Sequence, residues 1–290
     1  MSWQLGDNAL THLARVGYGA RGTVYCLVGG LAVLAALGRG GQAGDSGSAL
    51  RTVLHGPFGV VLVGLIALGL AGFAVWRVVE GVTDADRRGR SPKALLVRAG
   101  HVVSAVAYAG LALTAGRLAF GIGRASAGGD GVKDWTAWLL SQPLGPWLVG
   151  LVGLGVAGTG IGYGVKAWKG DVAERLSLPP AAGDWPCRIG RFGYAARGIA
   201  FLIIGGFLLS AAWTQASSEA EGLSGAFRAL RSQPYGSVLL AVVAAGHFAF
   251  GAFGLIQARY RRIDAPDIGG TDDALASATG KAAEAIRALR

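Results

Sequence analysis

Arg15-Val16-Gly17-Tyr18-Gly19-Ala20-Arg21-Gly22 opens an apolar run, and it returns as Arg191-Phe192-Gly193-Tyr194-Ala195-Ala196-Arg197-Gly198. A diverged copy, Arg98-Ala99-Gly100-His101-Val102-Val103-Ser104-Ala105, lies between them. Each copy is followed by a Pro-x-Gly triplet that opens a second apolar run. The triplets are Pro57-Phe58-Gly59, Pro143-Leu144-Gly145 and Pro234-Tyr235-Gly236. The separations from arginine to proline are 42, 45 and 43 residues. Three matched pairs of landmarks define a tandem repeat, and a repeat missed at this stage mis-assigns the whole fold. A proline at a helix start is tolerated, because its missing donor would have no partner there.

The six runs cover approximately residues 16–37, 58–79, 99–120, 144–165, 192–213 and 236–256. Each matches the roughly 20 helical residues that cross a hydrocarbon core of about 30 Å. Spanning strands would need only about 10 residues with alternating polarity. The chain is 52% hydrophobic and 15% charged, against about 25% charged in soluble domains. Its 50 glycines would argue against helices in water. In lipid the backbone must satisfy itself, so glycine is kept in helices and lets them pack closely. The expected fold is all-α: an integral membrane six-helix bundle of three parallel two-helix repeats with pseudo-threefold symmetry. The units are expected over residues 12–84, 95–172 and 188–262, with a cytoplasmic tail helix over 271–290. An even number of spans per unit makes the repeats parallel, unlike inverted transporter repeats.

The net charge of +10 lies in loops and helix ends, so nucleic acid is not an expected partner. With alternating spans, seven basic residues (Arg39, Arg51, Arg117, Arg124, Lys133, Arg228 and Arg231) fall on one side and the other 20 of 27 on the opposite side. The positive-inside rule then places both termini in the cytoplasm of a plasma (inner) membrane protein, with anionic lipid headgroups as expected partners. Segments near 45–56, 130–142 and 219–233 read as short interfacial helices on the other side, with Trp135, Trp138 and Trp147 as an aromatic belt. Cys26 and Cys187 fall in different environments and are not expected to pair.

The G-Y-x-A-R-G starts, the P-x-G second helices and the threefold duplication resemble the DUF1206 family of bacterial membrane proteins, over residues 12–262. The resemblance implies the fold, and the family's name marks an unknown function. Unit two departs from the pattern with His101 for tyrosine and Ser104 for arginine.

Four residues are the candidate sites. Arg21 and Arg197 share one repeat position. At 100° per residue, Gly17, Gly22 and Gly29 fall within a sector of about 140° that contains Arg21, and the same holds around Arg197. Both guanidinium groups are expected between helices, as an anion or lipid-headgroup site or as structural partners of a neighbouring helix's carbonyls. An arginine facing lipid at the bilayer centre would cost at least ~2.5 kcal/mol. Ser104 at the third position should make the arrangement asymmetric. His247, mid-span in the sixth run, replaces Leu70 and Val156 of the other units. It is expected to be hydrogen-bonded to a backbone carbonyl, with a proton relay or ligand contact as the alternative.

No cofactor or metal is expected. His101 and His247 differ in depth by roughly 10 Å at 1.5 Å per residue, too far apart to share one haem iron. No His, Cys and carboxylate cluster has zinc spacing. Gly153-Leu154-Gly155-Val156-Ala157-Gly158 matches a dinucleotide fingerprint as a string, but it lies inside a span and reads as a packing surface. The sets Gly64, Gly150, Ala241; Gly69, Gly155, Gly246; and Gly72, Gly158, Ala249 read as helix contacts in every unit. Glu80, Lys166 and Gln257 share a position 23 residues after each proline, read as a solvated helix end. The chain therefore reads as a non-catalytic membrane protein, a structural or lipid- and partner-interacting scaffold, with a small channel or carrier for an anion as the alternative.

Overall fold

The computed structural model describes residues 2–83, 91–122 and 128–263. The tail helix expected over 271–290 lies outside them. Six helices are long and apolar enough to cross a membrane. They are α1 (Ser2–Ala36), α3 (Gly59–Thr83), α4 (Pro92–Ala119), α6 (Gly145–Lys169), α7 (Trp185–Thr214) and α9 (Gly236–Tyr260). Three short helices, α2 (Ser46–Leu54), α5 (Gly128–Leu140) and α8 (Leu223–Arg231), link the two spans of each unit. They gather on one side of the bundle, here the cap side, where α5 touches both α2 and α8. The opposite, terminal side carries the links between units. The described residues contain no strand beyond an isolated bridge of Leu176 with Arg261. Cys26 and Cys187 are free thiols. Trp135, Trp138, Trp147 and Trp213 are exposed towards the cap side, and Trp168 and Trp185 towards the terminal side. Such amphipathic rings mark the two interfaces of a membrane.

Local chemistry sets the helix starts. The Asp45 carboxylate accepts from the Ser48 N–H at 2.9 Å and starts α2. Ser91 Oγ accepts from the Ala94 N–H at 3.2 Å and starts α4, with Pro92 in the first helical turn. Each satisfies a donor that the helix itself leaves unpaired.

The Pro-x-Gly triplets do something more specific than begin a helix. The second spans start at the glycine, so each proline lies in the preceding turn. The middle residues Phe58, Leu144 and Tyr235 have φ of 58°, 63° and 60°. Left-handed backbone at such residues costs on the order of 1–2 kcal/mol, and here the same corner recurs three times. The glycine is required by close approach. A Cβ on Gly59, Gly145 or Gly236 would strike the last carbonyls of α2, α5 or α8, those of Leu54, Leu140 and Arg231. The triplet is thus a tight corner that folds a cap helix back onto its span.

Three interfaces between units repeat with the same construction: α9 on α1, α3 on α4, and α6 on α7. Glycines bring the backbones together at the crossings. Gly22 lies against Gly251 and Gly254, Gly198 against Gly160, Gly29 against Phe248, and Gly205 against Ala157. Each interface is also clamped by the first arginine of the repeat. Arg98 donates to the carbonyls of Gly81 (2.8 Å) and Val82 (2.6 Å). Arg191 donates to those of Ala167 (2.8 Å) and Trp168 (3.3 Å), and Arg15 to that of Arg259 (3.2 Å). Val82, Trp168 and Arg259 are equivalent repeat positions. A cation there satisfies orphan carbonyls and complements the negative end of the helix dipole. The capping of neighbouring helix ends, considered for Arg21 and Arg197, belongs to this other arginine.

Within units the symmetry breaks. The spans of unit one pack together (α1 on α3), as do those of unit three (α7 on α9). No comparable interface joins α4 and α6 among the described residues. Half of the most apolar stretch of α3 and of α9 is buried, against 17% of α4 and of α6. The ring of six spans is therefore open between α4 and α6. Side chains account for this. Gly69 receives Ala20, and Gly246 receives Ala196. The corresponding pair in unit two is Gly155 and Val103, whose larger side chain is 69% exposed. Thr159 and Gly162 also stand where Phe73 and Trp76, or Phe250 and Phe253, fill the core. This corrects the expectation of glycine contact in every unit. Gly153 packs on Leu208 and Leu209, but a Cβ added at Gly155, Gly158, Gly162 or Gly164 would meet nothing within 4 Å.

Candidate functional site: an arginine and aromatic cluster at the bundle centre

The centre of the bundle is lined by the faces of α1, α3, α7 and α9, and the residues there are aromatic and cationic. Tyr18, Phe73, Tyr194 and Phe250 form edge-to-face contacts with centroids about 5 Å apart, Tyr18 on Phe73 and Tyr194 on Phe250. Tyr108 reaches in from α4 against Phe73, and Tyr25 from α1 against Phe250. The two phenolic hydroxyls, Tyr25 and Tyr108, are 3.1 Å apart.

Arg21 is buried among these rings. Its guanidinium lies 5.1 Å from the centroids of Phe73 and Phe250 and 5.4 Å from that of Tyr18. It donates to Gln257 Oε1 at 3.1 Å. The negative faces of the rings and the amide oxygen replace water, and a desolvated cation–π contact contributes about 2 kcal/mol. Arg197 occupies the same repeat position but leads elsewhere. It lies 4.4 Å from the Tyr25 ring, 4.7 Å from Phe250 and 4.8 Å from Phe201. Arg21 leans back towards Tyr18, whereas Arg197 leans on towards Phe201.

The repeat explains the difference. Arg21 meets Gln257 across the α9–α1 interface. The matching partner of Arg197 across α6–α7 is Lys166, a second cation. Lys166 instead sits over the Tyr194 ring at 4.7 Å. The matching partner of Ser104 across α3–α4 is Glu80. Ser104 is half-buried and makes no side-chain hydrogen bond among the described residues, so the site is asymmetric.

Glu80 is the residue that sequence reasoning misplaced. It is not a solvated helix end: its side chain is fully enclosed, and Gln257 is buried as well. Arg77 holds Glu80 Oε2 at 2.8 Å, and Arg261 holds Oε1 at 2.8 Å. The Tyr18 hydroxyl donates to Oε1 at 3.4 Å, and His101 Nδ1 stands 3.9 Å from Oε2. His101 is thus half-buried beside a carboxylate. One carboxylate ties together α1, α3, α4 and the segment after α9, which belong to all three units. The charge alternation Arg77, Glu80 on one helix turn was a legible signal of a local pair. Burial of the pair was not.

His247 is buried in α9. Its Nδ1 donates to the Val243 carbonyl at 3.0 Å, and the Phe227 ring of α8 meets it edge-on. The structure brings His247 and Arg197 together. Both line a cavity of about 160 Å³ reaching in from the cap side, with Tyr25, Asp45, Ser46 and Phe201. A second hollow of about 230 Å³ lies on the terminal side between Thr11, Arg15, Ser177, Arg259 and Arg262. Arg21 and Arg197 pair with no carboxylate among the described residues. The bundle centre therefore carries a surplus of positive charge over its one enclosed carboxylate.

Six spanning helices in three parallel pairs, clamped by equivalent arginines, make this a multi-pass helical membrane protein built by internal triplication. The family model for the Domain of Unknown Function DUF1206 matches residues 16–84, 99–170 and 192–261, and the chain belongs to that family. It is 33% identical over 257 residues to the uncharacterized protein YxxB of Bacillus subtilis (strain 168), covering 88% of this chain and 92% of that one. No solved structure matches it.

Proposed function

We propose that the protein is a non-catalytic membrane scaffold whose terminal side engages anionic lipid headgroups. The observation that supports this best is how the central arginines are used. Arg21, Arg77 and Arg261 are held by rings, by Gln257 and by Glu80, joining the helices of units one and three. Such a centre favours cohesion over passage, and the two hollows share no lining residue. The arginine-lined hollow on the terminal side suits a phosphate-bearing headgroup, since guanidinium groups bind phosphate through paired N–H donors.

In this reading the terminal side faces the cytoplasm, because only seven of the 27 basic residues fall in or beside the sequence segments that join the spans on the cap side. Reporter fusions after residues 40, 128 and 218 should report the outside, and fusions after 88, 178 and 270 the inside. The reversed pattern at most positions would refute the orientation.

The scaffold reading is tested with Arg21→Leu and with an Arg259→Gln, Arg262→Gln double variant. Arg21→Leu should lower thermal stability in detergent, by roughly 2 kcal/mol or more, since the buried Gln257 loses its donor and three rings each lose one of their cations. The wild-type protein in liposomes should pass chloride no faster than protein-free liposomes. Phosphatidylglycerol should raise its melting temperature over phosphatidylcholine, and the double variant should lose that gain. A chloride flux that scales with the amount of folded protein would replace the scaffold with the second reading, a channel or carrier for a small anion. The cavity shared by Arg197 and His247 is the observation that favours that alternative.

A further inference from the structure

The cap-side cavity is bordered by a cation, Arg197, that pairs with no carboxylate among the described residues. We propose that the cavity beside Arg197 binds one small monovalent anion, of halide or nitrate size, contacted by the Arg197 guanidinium and the Ser46 and Tyr25 hydroxyls. The inference does not depend on the scaffold reading, which concerns the other side of the bundle.

Four observations carry it. First, Arg197 borders the cavity without a carboxylate partner among the described residues; its enclosed Nε has no acceptor there, as is also true of Arg21 and Arg77. A guanidinium has five N–H donors in its plane. The rings of Tyr25, Phe201 and Phe250 receive its charge, and the Tyr25 hydroxyl is its one neutral oxygen partner among them. Second, the position that gives Arg21 its amide partner gives Arg197 only Lys166, so internal symmetry supplies a second cation in place of an acceptor. Third, the guanidinium borders a cavity of about 160 Å³ that Ser46, Tyr25 and His247 also line. That volume is roughly five times a water's share of liquid volume, enough for a small anion with some of its hydration. Fourth, its walls include Ala200, Phe201, Ile204 and Leu223, which strengthen electrostatic attraction by excluding water.

One group opposes the anion. Asp45 also lines the cavity. Its Oδ1 accepts from the Ser48 N–H and its backbone carbonyl from the Ser48 hydroxyl, which fixes it as the cap of α2. A fixed carboxylate at the rim weakens anion binding and gives the proposal a second handle. His247 donates through Nδ1 to the Val243 carbonyl, so that nitrogen is not available to the anion.

The experiment is a melting series of the full chain in detergent at constant ionic strength, with bromide replacing gluconate. Bromide should stabilise the wild-type protein saturably. Arg197→Gln should raise the half-saturating bromide concentration at least tenfold. Asp45→Asn keeps a helix-capping side chain and removes the opposing charge, and should lower that concentration roughly fivefold. A crystal grown with bromide should show anomalous scattering beside the Arg197 guanidinium. Chloride and nitrate should compete, whereas phosphate and short-chain phosphatidic acid should not. If Arg197→Gln does not fold, the Asp45→Asn shift and the anomalous peak still decide. No saturable bromide effect, an unchanged response in Asp45→Asn, or stabilisation by phosphate or phosphatidic acid alone would each overturn the proposal.

Discussion

Glu80→Gln is expected to be among the most damaging single substitutions in the chain. The isosteric change leaves no cavity and keeps one hydrogen-bonding oxygen. What it removes is the negative charge between Arg77 and Arg261, each 2.8 Å from a carboxylate oxygen. Breaking one partner of a buried ion pair costs about 3–5 kcal/mol, because the other charge stays buried without compensation. Here two arginines lose that charge at once, and Tyr18 loses an ionised acceptor. The expected result is a fall in melting temperature of roughly 10 °C, together with loosening of the link between the three units. A double variant, Glu80→Gln with Arg77→Gln, should recover part of the loss, since it removes one uncompensated cation. Equal melting temperatures for Glu80→Gln and the wild type would show that the cluster contributes no cohesion.

Gly29→Val is the second large effect, and it acts through shape alone. Gly29 lies where α1 crosses α9, and a Cβ there would collide with the backbone of Phe248 and meet the Ala244 carbonyl at 2.8 Å. Backbone atoms cannot rotate away, so the two helices must separate along the whole interface. In a membrane that separation is not opposed by hydrophobic burial, because lipid replaces the lost contact. Destabilisation of about 3 kcal/mol is expected, the upper part of the usual range for overpacking. Gly110→Val is the control. Gly110 sits in α4 with nothing within 4 Å of its Cβ direction, and the change there should be tolerated. If both variants melt alike, the glycine crossings are not what holds the units together.

These two residues differ in how readable they were. The role of Gly29 follows from spacing: Gly17, Gly22 and Gly29 share one face, and small residues on one face of a spanning helix mark a contact. The same logic misjudged Gly155 and Gly158. They share the same helix face as their counterparts, but the residue opposite Gly155 is Val103 instead of Ala20 or Ala196. A packing face is a property of two helices, and spacing along one helix reports only half of it.

Arg21 and Arg197 divide similarly. Their repeat position and their orientation towards the bundle interior were legible from helical periodicity and from the cost of charge in lipid. Their different fates were not, because each depends on the residue presented by the preceding unit: Gln257 for one and Lys166 for the other. The cyclic order of the units, α9 against α1 and α6 against α7, supplies those neighbours.

Hydropathy, the recurring Arg-to-Pro interval and the glycine faces by themselves determined six spans in three parallel pairs, because run length and helical period are properties of a single segment in lipid. Only the tertiary structure decided that Glu80 is enclosed by Arg77, Arg261, Tyr18 and His101, that the ring opens between α4 and α6, and that Arg197 borders a cavity. Each of these depends on which side chains meet across a helix interface, and distances between helices are set by the packing of the whole bundle.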